Sequence, residues 1–261
     1  MNSSPSVTEM APLFVGCAGW SLPREHWPAF AEEGSHLQRY ASRFNAVEIN
    51  SSFYRPHLPK TYERWAQSVP SAFRFSVKVP RYITHELRLR HCEAALDEFL
   101  AQCLHLGEKL GCLLVQLPPS LNHEPDVAGA FFEALRQRFP GDVVLEPRHA
   151  SWVTAGALLQ AYRIGWVTAD PVVIDAGDAW QGVRYWRLHG SPQIYHSAYG
   201  PERVALHAQA LRQSTASGVP TWCIFDNTAS GHAVADALCL LEKNRKNIKR
   251  VVHENRGYLC G

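Results

Sequence analysis

No stretch of this chain reaches the roughly 18 consecutive apolar residues that a membrane-spanning helix needs, so no membrane span is expected. An excess of one charge is missing too. Lys plus Arg number 26 and Asp plus Glu 24, for a net charge of +2. A broad basic footprint for nucleic acid is therefore not favoured as a partner surface. A small basic pocket stays possible. The first twelve residues, "MNSSPSVTEMAP", have neither a basic n-region nor a long apolar run, so no signal peptide is expected. None of the seven cysteines forms a C-x-x-C pair, and their number is odd. Cys17, Cys103, Cys112 and Cys223 lie in apolar stretches, which reads as buried, reduced thiols and a cytoplasmic setting.

What is present is an ordinary globular composition, 46% hydrophobic and 19% charged, over 261 residues. Eight short apolar or β-branched runs recur: 13–20, 46–54, 73–80, 112–119, 143–149, 165–171, 183–190 and 221–228. Their average spacing of about thirty residues is that of βα units. Between them, 91–108, 125–139, 202–216 and 232–244 carry apolar residues at helical spacing, and weaker helices fit 35–43, 60–67 and 154–163. Strands alternating with helices predict a parallel sheet. Eight units predict an α/β fold of the (β/α)8 TIM-barrel type. The competing fold is an open doubly wound sheet, which usually carries a glycine-rich phosphate loop after its first strand. Here that strand runs into "GCAGWS", with no GxGxxG or Walker pattern. The segment from Pro171 to Val183 is short and glycine-rich, so an irregular connection is expected between strands 6 and 7. No linker or internal repeat divides the chain, which predicts one domain over 1–261, with a core at 13–240 and residues 1–12 as an extension. The basic stretch "EKNRKNIKR" (242–250) reads as a solvated helix end.

The stretch "AVEINSSFY" (46–54) poses the central question. Val47, Ile49 and Phe53 suit a buried strand, yet Glu48 and Asn50 lie between them. A buried carboxylate is costly unless it is paired. In a barrel, alternate residues point inward and the active site lies at the C-terminal ends of the strands. There the strand candidates carry Trp20, Glu48, Asn50, Lys78, Gln116, Glu146, Arg148, Asp170, Arg187, His189, Asp226 and Asn227. Mixed charges converging on one mouth are the usual condition of a catalytic or binding pocket. Each residue also has a structural reading. Glu48 could balance Lys78 on the next strand, Arg148 could clamp Glu146 or Asp170, and Asp226 could cap a helix. His189 could be a satisfied core histidine, and Gln116 could be purely structural. Trp27, Trp65, Trp152 and Trp166 read as packing.

The motifs "GCAGWS", "FNAVEINSSFYR", "FRFSVKVPRYITHE", "VQLPPSL", "EPRHASW", "YWRLHG" and "FDNTASG" occur in this order across 13–240. The chain thereby resembles the YecE-like family, also called domain of unknown function 72. The resemblance implies a TIM-type barrel and no particular activity. It places the family's polar motif residues on Glu48, Asn50, Lys78, Gln116, Glu146, Arg148, Arg187, His189 and Asn227. His196, within "PQIYHSAYG" (192–200), is a local departure where relatives often carry aromatics.

The leading functional expectation is an enzyme for a small anionic or hydroxylated substrate, with hydrolytic or proton-transfer chemistry. Lys78, Arg148 and Arg187 would hold the anion. Glu48 or Glu146 would be the base, and His189 the acid or electrophile. Trp20, Tyr54 and Tyr199 would wall the pocket, and Asp226 would join the catalytic groups. No cofactor is implied. A metal-assisted phosphodiesterase using Glu48, Glu146, Asp226 and His189 has the right ligand types. It lacks HExxH or His-x-His spacing, however, and cations would compete for its carboxylates. A Glu48/Glu146 glycosidase pair is a further possibility. The non-catalytic alternative is a binding protein for an anionic metabolite or a nucleic-acid end. Oligomeric state is not legible.

Overall fold

Strand alternation decides what fills the interior of this fold. In the computed structural model, which describes residues 10–174 and 179–257 (side chains to residue 245), every second strand residue points into a closed core. Ala46, Leu114, Val144, Val167, Tyr185 and Trp222 belong to one buried cluster inside the ring of strands. The intervening residues, such as Val47, Ile49, Val77, Leu113 and Phe225, belong to a larger cluster between strands and helices. A parallel strand buried on both faces reads as a near-continuous apolar run, which is why these segments show little period-2 contrast.

The strands are β1 (Leu13–Cys17), β2 (Ala46–Ile49), β3 (Arg74–Lys78), β4 (Leu110–Gln116), β5 (Asp142–Glu146), β6 (Ile164–Asp170), β7 (Trp180–Leu188) and β8 (Thr221–Phe225). All seven ladders are parallel, in the order β1-β8-β7-β6-β5-β4-β3-β2. Helices α1 (His36–Ala41), α2 (Pro59–Gln67), α3 (Glu93–Cys103), α4 (Pro125–Arg138), α5 (Gly156–Ala161), α6 (Pro201–Ala216) and α7 (His232–Gly257) follow strands 1–5, 7 and 8. The protein is a nearly closed TIM-type barrel.

The last seam, β1 against β2, is stitched largely by side chains. One bridge joins Ala18 to Glu48, and Gly19 N–H donates to the Glu48 carbonyl at 2.9 Å. The Tyr40 hydroxyl accepts from Cys17 N–H at 2.7 Å and donates to the Ala46 carbonyl at 2.9 Å. Asn45 accepts from Val15 N–H and donates to the Leu13 carbonyl, both at 2.8 Å. Gly16 permits this approach, because a Cβ there would lie 2.0 Å from the Ala46 carbonyl oxygen.

The helix starts follow local chemistry. Ser35 and Gln38 form a reciprocal capping box at α1. Proline opens α2, α4 and α6, where its missing N–H costs nothing. Three expectations need revision. The strand expected over 46–54 stops at Ile49, and Ser51–Phe53 turns in a short 3-10 helix. α7 runs well past residue 244, and the basic side chains from 246 onward lie outside the described residues. Residues 180–183, expected in a loop, already belong to β7. Otherwise the irregular β6–β7 connection holds no helix among its described residues, and 175–178 lie outside them. Among the described residues no disulfide forms and no helix is long and apolar enough to cross a membrane. Cys260 lies outside them.

Candidate active site at the C-terminal mouth

The inward positions at the C-terminal ends of β2, β5, β7 and β8 carry Glu48, Glu146, Arg187 and Asp226. Arg187 is the hub. Its Nε and Nη2 donate to the two oxygens of Glu48 at 3.0 and 2.7 Å. Its Nη1 donates to Glu146 Oε2 at 2.7 Å, and Nη2 also donates to Asp226 Oδ2 at 2.9 Å. Four of the five guanidinium N–H groups are thus committed. The Tyr185 hydroxyl donates to Glu48 Oε2 at 2.9 Å and lies 2.8 Å from the Ser76 hydroxyl. Arg187, Glu48, Glu146 and Asp226 are all buried. Burial alone would lower the Arg187 pKa, but Asp226, Glu48 and Glu146 hold it well above its usual range.

His189 sits one inward step beyond Arg187 on the same strand face. Its Nδ1 lies 3.0 Å from Asp226 Oδ2 and its Nε2 lies 3.1 Å from Glu146 Oε1. A carboxylate at each ring nitrogen is satisfied best by the doubly protonated imidazolium. Burial disfavours that cation, yet the bonds to Asp226 and Glu146 outweigh it, and the His189 pKa is raised. The same contacts act in reverse on the acids. Burial pushes Glu146 up, but Arg187, His189 and Arg148 hold it well below the carboxylate range. Asp226 is likewise lowered, with Arg187 and His189 overcoming burial.

Two cations are less committed. Arg148 donates through Nη2 to Glu146 Oε1 at 2.5 Å, the same nitrogen lies 3.4 Å from His189 Nε2, and its buried Nε has no hydrogen-bond partner among the described residues. Lys78, 5% exposed, forms no hydrogen bond or ion pair through Nζ among the described residues and lies 4.0 Å from the Phe53 ring centroid. Arg187, Arg148 and protonated His189 already balance Glu48, Glu146 and Asp226, three against three. Lys78 is the surplus cation. Its pKa falls to about 8, driven by burial and then by Arg187, with Glu48, Asp226 and Glu146 opposing.

Comparison with known proteins places this chain in a family. The family described as "Protein of unknown function DUF72" matches residues 14–257. The chain belongs to the DUF72 family. It is similar to UPF0759 protein YecE of Escherichia coli, 31% identical over 154 residues, which are 59% of this chain and 54% of that protein. It is also similar to UPF0759 protein YunF of Bacillus subtilis, 29% identical over 149 residues, 54% of this chain and 52% of that one. The chain spans about half the length of the curated relatives it matches. A DUF72 protein from Enterococcus faecalis has a TM-score of 0.74 at 21% identity, covering 90% of this chain and 96% of that one. One from Thermotoga maritima has a TM-score of 0.67 at 24% identity, covering 88% and 98%. These two structures share the fold.

In this DUF72 member, several expected site residues have other work. Glu48 pairs with Arg187 across the barrel, not with Lys78, because the guanidinium offers both its oxygens a donor. Asp170 leaves the mouth. Val167 points inward and Asp170 outward, where it meets Arg203 at 2.6 Å and His207 at 3.0 Å. Asp226 binds Arg187 and His189 instead of capping α7. Tyr199 is a buried strut whose hydroxyl accepts from Gly190 N–H at 2.9 Å and donates to the Asp170 carbonyl at 3.0 Å. Gly190 turns there at φ +93°, and a Cβ would lie 2.6 Å from the Ser197 carbonyl oxygen. Asn227 is buried, donating to the Ser197 carbonyl and to Asp236, so it braces the β8 loop.

Trp20 packs edge-on against Trp65 and lines an outer cleft with His36 and Arg64. Tyr54 is exposed and lines a separate 380 Å³ cavity with Arg55, Arg81 and Tyr82. Gln116 is half-buried, paired in register with Glu146. Asn50 is half-buried, and its Oδ1 has no partner. His196 is exposed beside Ser230.

Sequence reasoning missed Tyr185, Ser76 and Phe53. Tyr185 could have been found, since it precedes Arg187 and His189 on the same strand face at period 2. Among the described residues, no group of three or more His, Cys, Asp or Glu side chains is arranged to hold a metal ion. The Arg187 guanidinium instead fills the space between the three carboxylates and uses their lone pairs.

Proposed function

We propose that the C-terminal mouth is the active site of an enzyme that performs acid–base chemistry on a small anionic or hydroxylated substrate. The observation that carries this reading is the surplus of cationic donors: among the described residues Lys78 has no ion pair, and Arg148 spends one nitrogen on Glu146 and leaves Nε without a partner. A half-buried guanidinium with unspent N–H groups suits an oxyanion. Arg187, expected to share in holding the anion, is instead consumed by carboxylates.

The acid–base roles shift as well. Glu48 is fully buried with both oxygens engaged, and Glu146 is too weak a base at its lowered pKa. Both serve to hold cations. His189, kept protonated by two carboxylates, is suited to be the general acid. Lys78, near 8, is the group best matched to accept a proton around neutral pH.

The test is a thermal-shift and calorimetric screen of phosphorylated, carboxylated and neutral sugars and metabolites, followed by turnover assays on any hit. Anionic compounds should bind, and Arg148→Ala should weaken them at least about tenfold, the scale of one charged hydrogen bond. Equal binding by Arg148→Ala and wild type would refute the anion pocket. A hit never consumed under varied pH and metals would refute catalysis and leave a binding protein.

A further inference from the structure

We propose that Lys78 is an imine-forming lysine, whose Nζ, unpaired at the barrel mouth, attacks the carbonyl carbon of an aldehyde or oxo acid whose anionic group is held by Arg148. This rests on the reading of the mouth as an enzyme site and deepens it by naming the substrate class.

The geometry sets Lys78 apart from other lysines of the chain. Lys109 donates to the carbonyls of Ala66 and Val69 at 2.5 and 2.6 Å, and Lys60 is exposed. Lys78 is buried at the end of β3, and its Nζ lies over the face of Phe53 with no hydrogen bond or ion pair among the described residues. An aromatic face offers a cation far less than a carboxylate does. The carboxylates that could have paired with it are taken by Arg187, which holds Glu48, Glu146 and Asp226. The fold therefore buries an amine beside three acids and denies it an ion pair with any of them.

Surrounding groups keep a share of this amine unprotonated. Arg187 disfavours its charge, Glu48, Asp226 and Glu146 favour it, and burial decides the balance. His85, edge-on to Phe53, has its own pKa lowered by burial and then by Lys78. With its pKa near 8, roughly a quarter of Lys78 is free amine at pH 7.5, against about a thousandth for an ordinary lysine. Depressed lysines of this kind are the ones that form Schiff bases.

The step balances without an oxidant or reductant. The nitrogen lone pair bonds to the carbonyl carbon, and the carbon–oxygen π electrons go to oxygen. One amine hydrogen and one proton from His189 leave with that oxygen as water. The other amine hydrogen stays on the iminium nitrogen. The iminium carries the positive charge the neutral amine lacked, within the field of Glu48, Glu146 and Asp226. Hydrolysis reverses the sequence and returns the proton to His189.

The experiment is reductive trapping. Wild-type protein is incubated at pH 7.5 with pyruvate, glyoxylate, glyceraldehyde 3-phosphate or neutral glycolaldehyde, reduced with borohydride, and mapped by peptide mass spectrometry. Thermal melts with each compound report binding separately. The expected result is a Lys78 adduct formed at least about tenfold faster than one on Lys60, with anionic carbonyls ahead of glycolaldehyde. It should vanish in Lys78→Arg, whose melt confirms folding. If anionic carbonyls shift the melt but Lys78 is labelled no faster than Lys60, the imine inference is wrong and the anion pocket survives. If glycolaldehyde labels Lys78 as fast as the anionic carbonyls, the imine stands and the anion pocket falls. If no compound binds or labels, both are refuted.

Discussion

Replacing Lys78 by methionine should stabilise the protein at neutral pH. In the folded state its pKa falls from 10.5 to about 8. At about 1.4 kcal/mol per pKa unit, that fall is a penalty of about 3 kcal/mol for carrying the charge. The sign follows from linkage. The unfolded chain binds this proton more tightly than the folded one, so stability rises with pH between 8 and 10.5. Below about 8 the penalty is complete, and above about 10.5 it is gone. Methionine keeps the length and apolar stem of lysine without the charge. It forfeits the contact with Phe53, worth about 1 kcal/mol. The expected net gain at pH 7 is therefore about 2 kcal/mol, disappearing toward pH 10.5. Urea unfolding of both proteins at pH 7 and pH 10 measures it. A Lys78→Met protein less stable than wild type at pH 7, or a gain equal at both pH values, would refute the reasoning. A stabilising substitution that also abolished activity would identify Lys78 as a group kept for chemistry at the expense of stability.

Arg187→Met should be the opposite case. It leaves three buried carboxylates without their shared cation, so a loss of about 3–5 kcal/mol or failure to fold is expected. Partial rescue as the pH is lowered would show that the loss is electrostatic, and a loss below about 1 kcal/mol would contradict the hub. His189→Asn tests the protonated imidazole. The folded His189 pKa is raised, so its pH-dependent stabilisation is complete below the ordinary 6.5 and is lost as pH rises through the folded value. Urea midpoints of the variant and wild type should differ most near pH 5.5 and converge with rising pH. A difference that stays flat from pH 5.5 to 9.5 would mean that folding does not raise the His189 pKa.

The repeating pattern of apolar runs and helical stretches carried the barrel, because each βα unit must bury one stripe of helix against one strand. The inward face of β7 was legible from the spacing of Arg187 and His189, as was that of β2 from Glu48. Asp170 was not. The inward positions Gly165, Val167 and Ala169 carry no polar side chain, while Trp166, exposed Thr168 and Asp170 share the outward face. Asp170 looked like a mouth carboxylate because it ends a strand, and only its period-2 link to Thr168 marked it as outward. Tyr199 looked like a pocket wall because an aromatic in a mouth loop suits stacking. In the fold, its hydroxyl is needed to satisfy Gly190 N–H and the Asp170 carbonyl.

The order of residues along the chain determined the fold, the inward set on most strands and the mixture of charges at one end of the barrel. Only the tertiary structure decided the pairing. Glu48 and Arg187 lie 139 residues apart and meet because ring closure brings β2 opposite β7. Lys78, two residues beyond the β3 position paired with Glu48, seemed the natural partner by proximity. A bidentate guanidinium fits a carboxylate better than an ammonium does, so Arg187 takes Glu48 and Lys78 is left over. That competition for carboxylate lone pairs in three dimensions makes Arg187 the scaffold and leaves Lys78 without an ion pair among the described residues.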